Sequence, residues 1–116
     1  MAFRIERSEA ATADLELIFD FLFTASLDFG EDADRAFEQA SSRVLEIERS
    51  LERIGEAPFQ GTLRPELGDG IRSVTKRRAI IYFDVVEAQS LVRILAIFFG
   101  GQDHQHQMLV RLLSKS

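Results

Sequence analysis

The chain has 116 residues, of which 46% are hydrophobic and 28% charged, a composition that fits one folded domain over 1–116 and excludes intrinsic disorder. It contains no cysteine, which excludes disulfide bonds and thiol chemistry. The first residues lack the apolar segment of a secretion signal and no apolar run is long enough to span a bilayer, so we expect a cytoplasmic protein without a membrane partner.

The net charge of −5 is unevenly distributed along the chain. Residues 1–58 hold six basic and 14 acidic side chains, a net charge of −8, whereas residues 59–116 hold eight basic and five acidic ones, a net charge of +3. Five of these basic residues lie between Arg64 and Arg78. The overall charge argues against a nucleic-acid-binding protein, but the second half begins with a local basic patch.

The first half of the chain predicts one strand and two helices. Apolar and charged residues alternate in Phe3–Arg7, which is typical of a short strand with one buried face. Ser8 is a suitable N-cap for a helix over 9–26, and a second helix is predicted over 31–54. The apolar residues of the second helix fall on one face: Ala33, Phe37, Ala40, Val44, Ile47, Leu51 and Ile54. The short connection predicts an antiparallel helical hairpin.

The first helix carries more apolar residues than one face can hold. Its predicted core stripe consists of Leu15, Ile18, Leu22 and Ala25, but further large apolar residues lie off this stripe, among them Leu17, Phe21 and Phe23. Because a helix packed on a sheet buries a single stripe, we expect some of these three to stay exposed and to bind a partner or a second copy of the chain. The alternative is that the loop over 55–70 folds across them.

The second half predicts a loop and an antiparallel sheet. Gly55–Gly70 contains four glycines and both prolines, which predicts a connection without regular structure. Strands are predicted over Ile71–Val74, Arg78–Val85 and Leu91–Phe99, joined by connections of hairpin length. Asp103 is a suitable cap for a short final helix. The residues expected to face inward from this helix are Met108, Leu109, Leu112 and Leu113.

These elements predict an α+β fold. An antiparallel sheet of about four strands carries the helical hairpin on one face, in the order β-α-α-β-β-β, and a short C-terminal helix follows. The first strand should pair beside a later one, because an isolated strand would leave its backbone polar groups without partners.

Three segments resemble a known family when they are read in this order. Leu63–Val74 is similar to a family loop in which a glycine precedes a strand-entry Ile-Arg pair, and Arg78–Phe83 is similar to the strand that follows. Val92–Asp103 resembles the last strand and its Gly-x-x-Asp exit. With the β-α-α-β-β-β order, nearly the whole chain resembles the RelE/ParE toxin superfamily, in its ParE-like branch. One departure is Phe99, where ParE-like chains often carry histidine.

The resemblance implies a toxin that a cognate antitoxin protein neutralises, without a cofactor. ParE-like members poison DNA gyrase by binding, whereas RelE-like members cut mRNA on the ribosome. We favour the binding mechanism, because no convincing pair of proton-transfer groups accompanies the basic patch. The alternative mechanism is the ribosome-dependent endoribonuclease, and a third interpretation is an inert interaction module or a decayed family member.

The candidate residues follow from these mechanisms. Target binding is assigned to four residues of the basic patch, Arg72, Lys76, Arg77 and Arg78, and antitoxin binding to Leu17, Phe21 and Phe23. RNA cleavage needs positive charge at the phosphate and groups that move protons. The candidates for that chemistry are Arg64, Arg72, Lys76, Arg78, Tyr82 and His104.

A structural role competes with each candidate function. Tyr82 lies in the middle of an apolar strand, where a core role is the simpler interpretation. Arg72 has Glu66 and Asp69 nearby in sequence, so a local ion pair is an alternative to target binding. His104 and His106 are two positions apart at a helix start and point to different sides, so no metal site is predicted.

Overall fold

The structure, a computed structural model, describes residues 2–100 and 104–114, without the side chains of 104–106. The predicted cap at Asp103 and the side chains of His104 and His106 therefore lie outside the described residues. The helices are α1 (Glu9–Asp28), α2 (Ala33–Glu56) and α3 (His104–Leu113). The strands are β1 (Arg4–Arg7), β2 (Thr62–Leu63), β3 (Arg72–Lys76), β4 (Ala79–Val86) and β5 (Leu91–Phe99), with a single 3₁₀ turn at Glu87–Gln89. The predicted α+β fold is confirmed.

Side-chain caps fix the starts of both hairpin helices. The hydroxyl of Ser8 accepts a hydrogen bond of 3.0 Å from the backbone N–H of Ala11, which begins α1 where the sequence predicts it. The carboxylate of Asp32 accepts one of 2.8 Å from the N–H of Arg35 and begins α2. Between them the chain turns at Gly30, whose φ of 96° a residue with a side chain rarely adopts.

The five strands form one mixed sheet in the order β1-β5-β4-β3-β2. β3, β4 and β5 are antiparallel neighbours as predicted, and β1 pairs beside a later strand as predicted. The expectation of a wholly antiparallel sheet is wrong at one edge, because β1 runs parallel to β5. Side-chain alternation is the same in both directions of pairing, and no hairpin turn joins these two strands, so nothing local in the sequence fixes their direction.

The loop after α2 contains a short strand that the sequence did not predict. β2 pairs antiparallel with β3, Thr62 opposite Ser73 and Leu63 opposite Arg72. Gly61 makes this approach possible: it has a φ of 81°, and a Cβ at this position would collide with the carbonyl oxygen of Ser73. The expectation of a loop without regular structure is therefore wrong at these two residues.

The helical hairpin covers one face of the sheet and forms the main core with it. The buried apolar side chains of this core are Ala11, Leu15, Ile18, Ile47, Leu51, Ile54, Ala79, Ile81, Phe83, Val92, Ile94 and Ile97. The helical residues of this core come from the first half of α1 and the second half of α2, and the others come from β4 and β5. The outer half of the hairpin is less buried. Two residues of the apolar face predicted for the second helix are exposed there: Phe37, with 58% of its surface, and Ala33.

A smaller cluster lies on the opposite face of the sheet. Its buried members are Ile71, Tyr82, Ala96 and Met108, so α3 covers this face through Met108. Leu112 packs against the cluster, but the prediction for Leu109 and Leu113 is wrong, because both are exposed. A helix packed on a sheet buries one narrow face, and in α3 that face holds Met108 and Leu112.

Candidate functional site

An open groove lies between α1, the end of β5 and α3, and its volume is about 680 Å³. We call it the α1–β5 groove. Its lining combines apolar side chains with three charged ones: Asp14, Leu17, Ile18, Phe21, Arg78, Ile97, Phe98, Phe99, Gly100, Gln107 and Arg111. An apolar concave surface with a few converging polar groups is the usual form of a binding site.

The apolar wall of this groove consists of side chains that the monomer leaves uncovered. Leu17 has 66% and Phe21 61% of its surface exposed, as expected for two of the three candidate antitoxin-binding residues. The ring of Phe21 lies 6.2 Å from that of Phe99, centroid to centroid. The loop after α2 does not cover Leu17 or Phe21; it pairs with β3 instead. These two side chains therefore remain available to a partner.

Phe23, the third candidate for this surface, lies elsewhere. Its ring stacks on that of Phe19 with a centroid distance of 6.1 Å, and it is half-buried. Because successive helical residues are separated by roughly 100°, Phe21 and Phe23 point about 200° apart around α1. The structure thus places Phe23 outside the α1–β5 groove.

The cationic wall of the groove is built around Phe99. The guanidinium carbons of Arg43 and Arg78 lie 5.7 and 5.8 Å from the centre of its ring, within cation–π distance. Arg78 is exposed and lines the groove, so its positive charge contributes to the surface of the groove. Phe99, the position of the departure from the family pattern, thus joins the cationic and apolar walls.

The backbone at Arg78 is strained. Arg77 and Arg78 form the two-residue turn between β3 and β4, with φ angles of 52° and 66°. Both are left-handed, a geometry for which hairpins prefer Asn-Gly and which costs other residues about 1 kcal/mol each. Strain of this kind is often retained where a side chain has a function.

An ion pair between a half-buried arginine and a buried aspartate closes the floor of the groove. Arg111 of α3 donates to both carboxylate oxygens of Asp14, at 2.7 and 2.8 Å, and Asp14 also accepts the backbone N–H of Ile97 at 2.9 Å. The hydrogen bonds to Asp14 raise the pKa of Arg111 above the usual arginine value, although its partial burial acts in the opposite direction. Sequence reasoning missed both residues, yet a carboxylate between Ala11 and Ile18 on the buried face of α1 was a signal that a cation must face it.

The side chains of Arg64 and Arg72 form hydrogen bonds with other residues of the chain. The Nε of Arg64 donates to the hydroxyl of Ser73 at 2.8 Å. Arg72 donates to the carbonyl oxygen of Phe59 at 2.8 Å, and its guanidinium lies 5.5 Å from the centre of the Phe59 ring. Arg72 therefore contacts the loop after α2 rather than a neighbouring carboxylate. Arg72 does not line the α1–β5 groove, whereas Arg78 does.

The other two residues of the basic patch, Lys76 and Arg77, lie at the end of β3 and in the turn that follows it. The Nε of Arg77 lies 3.6 Å from a carboxylate oxygen of Glu46, and the two side chains are 58% and 37% exposed. Such pairs contribute little stability. Lys76 is half-buried at the end of β3. Of the four candidate target-binding residues, Arg78 alone lines the α1–β5 groove within the described residues.

Tyr82 is fully buried, and its ring contacts Phe98 edge to face at 6.0 Å. This placement favours its core role. His104, the other candidate for proton transfer, has its side chain outside the described residues. In the described ranges no group of three or more histidine, aspartate and glutamate side chains could hold a metal ion. A search of the same ranges for a helix long and apolar enough to cross a membrane finds none.

Comparison of the sequence with models of known protein families finds no match, and comparison with curated proteins finds none either. The fold, however, is similar to solved structures. A chain of the chromosomal ParDE TA system from P. aeruginosa superposes with a TM-score of 0.67 at 22% identity, over 86% of this chain and 98% of that one.

Two further similar structures extend this likeness. The E. coli toxin RelE, as a mutant in the free state, gives a TM-score of 0.60 at 11% identity over 96% of this chain and 97% of its own. A chain of the toxin-antitoxin complex RelBE2 from Mycobacterium tuberculosis gives 0.56 at 14% identity over 88% and 95%. The chain therefore has the fold that the RelE and ParDE structures share.

Proposed function

We infer that this chain, with its RelE/ParE fold, is the toxin of a type II toxin–antitoxin system. We place it in the ParE-like branch of the RelE/ParE superfamily. The observation that carries this inference is the open α1–β5 groove, in which exposed Leu17 and Phe21 adjoin Arg78. A monomer gains nothing from leaving two large apolar side chains in water, whereas a binding surface needs them. The ParDE and RelBE2 systems among the similar structures support a partner protein.

The antitoxin contact is proposed at the apolar wall of the groove. A helix or strand of the antitoxin laid along α1 would bury Leu17 and Phe21, and one acidic side chain in it would meet Arg78. Phe23 is left out of this contact, because it points to the other side of α1. Without the antitoxin, self-association through Leu17 and Phe21 is expected.

The groove also suggests how the antitoxin neutralises the toxin. Target binding is proposed for four residues of the basic patch: Arg72, Lys76, Arg77 and Arg78. Among these four, Arg78 lines the groove beside Phe21 and Phe99. An antitoxin segment that fills the groove would therefore cover Arg78. Neutralisation then follows from occlusion of a shared surface, without a change in the fold of the toxin.

A binding poison of DNA gyrase is favoured over a ribonuclease. Cleavage of RNA needs accessible groups that move protons beside the positive charge. Tyr82, the single tyrosine of the chain, is fully buried and is therefore not accessible to a bound RNA. Binding through an apolar groove with a cationic rim needs no such groups. The runner-up remains the ribosome-dependent endoribonuclease.

Expression in a bacterial host tests this proposal. The protein expressed alone should slow growth, and co-expression of the protein encoded beside its gene should restore it. A gyrase poison should produce DNA breaks and filamentous cells, whereas a ribonuclease should produce codon-specific cuts in mRNA. Normal growth at a high level of folded protein would contradict the toxin assignment and favour an inert interaction module.

A further inference from the structure

A second apolar surface lies on the flank of the hairpin opposite the α1–β5 groove. We call it the Phe19 face. The ring of Phe19 stacks on Phe23, with an interplanar angle of 8°, and meets Phe37 of α2 edge to face at 5.4 Å. Phe37 and Leu45 leave 58% and 46% of their surfaces exposed. Three aromatic rings thus form one contiguous apolar patch across both helices, and Leu45 lines the same depression as Phe37.

The Phe19 face is independent of the groove. Phe19 and Phe21 are two positions apart in α1 and so point about 200° apart around the helix. A partner bound along Leu17 and Phe21 therefore leaves the Phe19 face open. The two surfaces can be occupied at the same time. Binding at the Phe19 face does not depend on the proposed toxin function.

Most charged side chains around the Phe19 face are acidic. Arg7 lines a depression with Phe19, but it already pairs with Glu48 at 2.8 Å. Glu16 and Asp20 each precede a phenylalanine of α1 by three positions, which puts them on the same flank, and Asp34 precedes Phe37 in the same way. Glu38 borders a shallow depression with Phe37 and Leu45. These four carboxylates, Glu16, Asp20, Asp34 and Glu38, are exposed, and none makes an ion pair with any described residue.

The charge of the whole segment reinforces this pattern. Residues 16–38 contain seven acidic side chains and one basic one, a net charge of −6. The basic one is Arg35, whose Nε already lies 3.3 Å from a carboxylate oxygen of Glu31. The α1–β5 groove has the opposite character, since Arg43 and Arg78 stand over its Phe99 ring. The two flanks of one hairpin therefore select partners of opposite charge.

We propose that the Phe19 face binds a cationic amphipathic helix of another protein. The leucine-like side chains of such a helix cover Phe19, Phe23 and Phe37, while its lysines or arginines reach the surrounding carboxylates. A second copy of this chain does not fit, because it would bring two segments of charge −6 into contact. An anionic membrane surface is repelled for the same reason.

A synthetic peptide of about 18 residues with leucines on one helical face and lysines on the other provides the probe. Titrated into the full-length protein and followed by calorimetry, it should bind, and a matched peptide with glutamate for lysine should not. Phe37→Ser should weaken binding of the lysine peptide by about tenfold or more, since it removes the most exposed ring of the face. Phe21→Ser, the control in the groove, should change the affinity by less than about twofold.

A charge-reversal pair distinguishes a defined site from general attraction to an acidic protein. Asp20→Lys with Glu38→Lys should abolish binding of the lysine peptide, whereas Glu56→Lys with Glu87→Lys, which changes the net charge equally at exposed positions elsewhere, should preserve most of it. Equal losses in the two double variants would overturn the proposal. So would dimers of the parent protein that Phe37→Ser dissociates in sedimentation experiments, since the face would then be occupied by a second copy.

Discussion

Arg111 and Asp14 stand 97 positions apart in the chain, yet their side chains form a two-bond ion pair of 2.7 and 2.8 Å. Asp14 is 5% exposed and also accepts the N–H of Ile97 in β5. This one carboxylate therefore joins α1, β5 and α3. It fixes the position of α3 at the floor of the α1–β5 groove, and the shape of the groove depends on it.

Loss of Arg111 should therefore destabilise the fold strongly. Arg111→Met leaves the buried carboxylate of Asp14 without its cation, and we expect the free energy of unfolding to fall by about 3 kcal/mol in urea titrations. Arg93 is the matched control. It makes the same two-bond contact with Asp84, but its side chain is 49% exposed. Arg93→Met should cost less than about 1 kcal/mol. Equal costs for the two variants would show that the Asp14 pair is not a buried one.

Gly55 marks the place where the hairpin meets β1. Its carbonyl oxygen accepts the N–H of Phe3 at 2.8 Å, and a Cβ on Gly55 would collide with the carbonyl oxygen of Phe3. Gly55→Ala should cost about 2 kcal/mol, because β1 or the end of α2 must shift. Ser42→Ala, at an exposed position of the same helix, should be neutral or slightly stabilising. A neutral result for Gly55→Ala in thermal unfolding would show that the contact is looser than described.

The strained turn allows stability and activity to be separated. Arg77→Asn with Arg78→Gly supplies the residues that a turn with two left-handed positions prefers, so the variant should be more stable by about 1 kcal/mol. It also removes Arg78, the one of the two cations over Phe99 that lines the groove, and growth arrest should be lost. Arg77→Asn alone keeps Arg78 and should retain most of the arrest. A stabilised double variant that still arrests growth would show that Arg78 has no role in target binding.

The sequence predicts the parts of this molecule that depend on local patterns. Periodicity and turn residues predict the cap at Ser8, the two hairpin helices and the strands β3, β4 and β5. The exposure of Leu17 and Phe21 follows from counting the apolar residues that one helix face can bury. Each of these features is decided within about one or two helical turns of chain.

The parts that the sequence does not predict depend on distant residues. The direction of β1 against β5, the two-residue strand β2 and the pairing of Arg111 with Asp14 all join segments far apart in the chain. The groove is the same kind of feature, because Arg78 and Phe21 meet only through Phe99. The separation of Phe23 from Phe21, in contrast, follows from helical geometry and could have been predicted.

The binding of the cognate antitoxin to Phe21→Glu tests the role of the α1–β5 groove most directly. Phe21 is 61% exposed, so the variant should fold, be more soluble than the parent and lose at least about 100-fold in affinity, because a carboxylate replaces an aromatic contact beside Leu17. Phe37→Glu adds the same charge on the opposite flank, where the affinity for the antitoxin should stay within about threefold of the parent. Parent-like affinity for Phe21→Glu, measured by calorimetry on the folded variant, would contradict antitoxin binding in this groove.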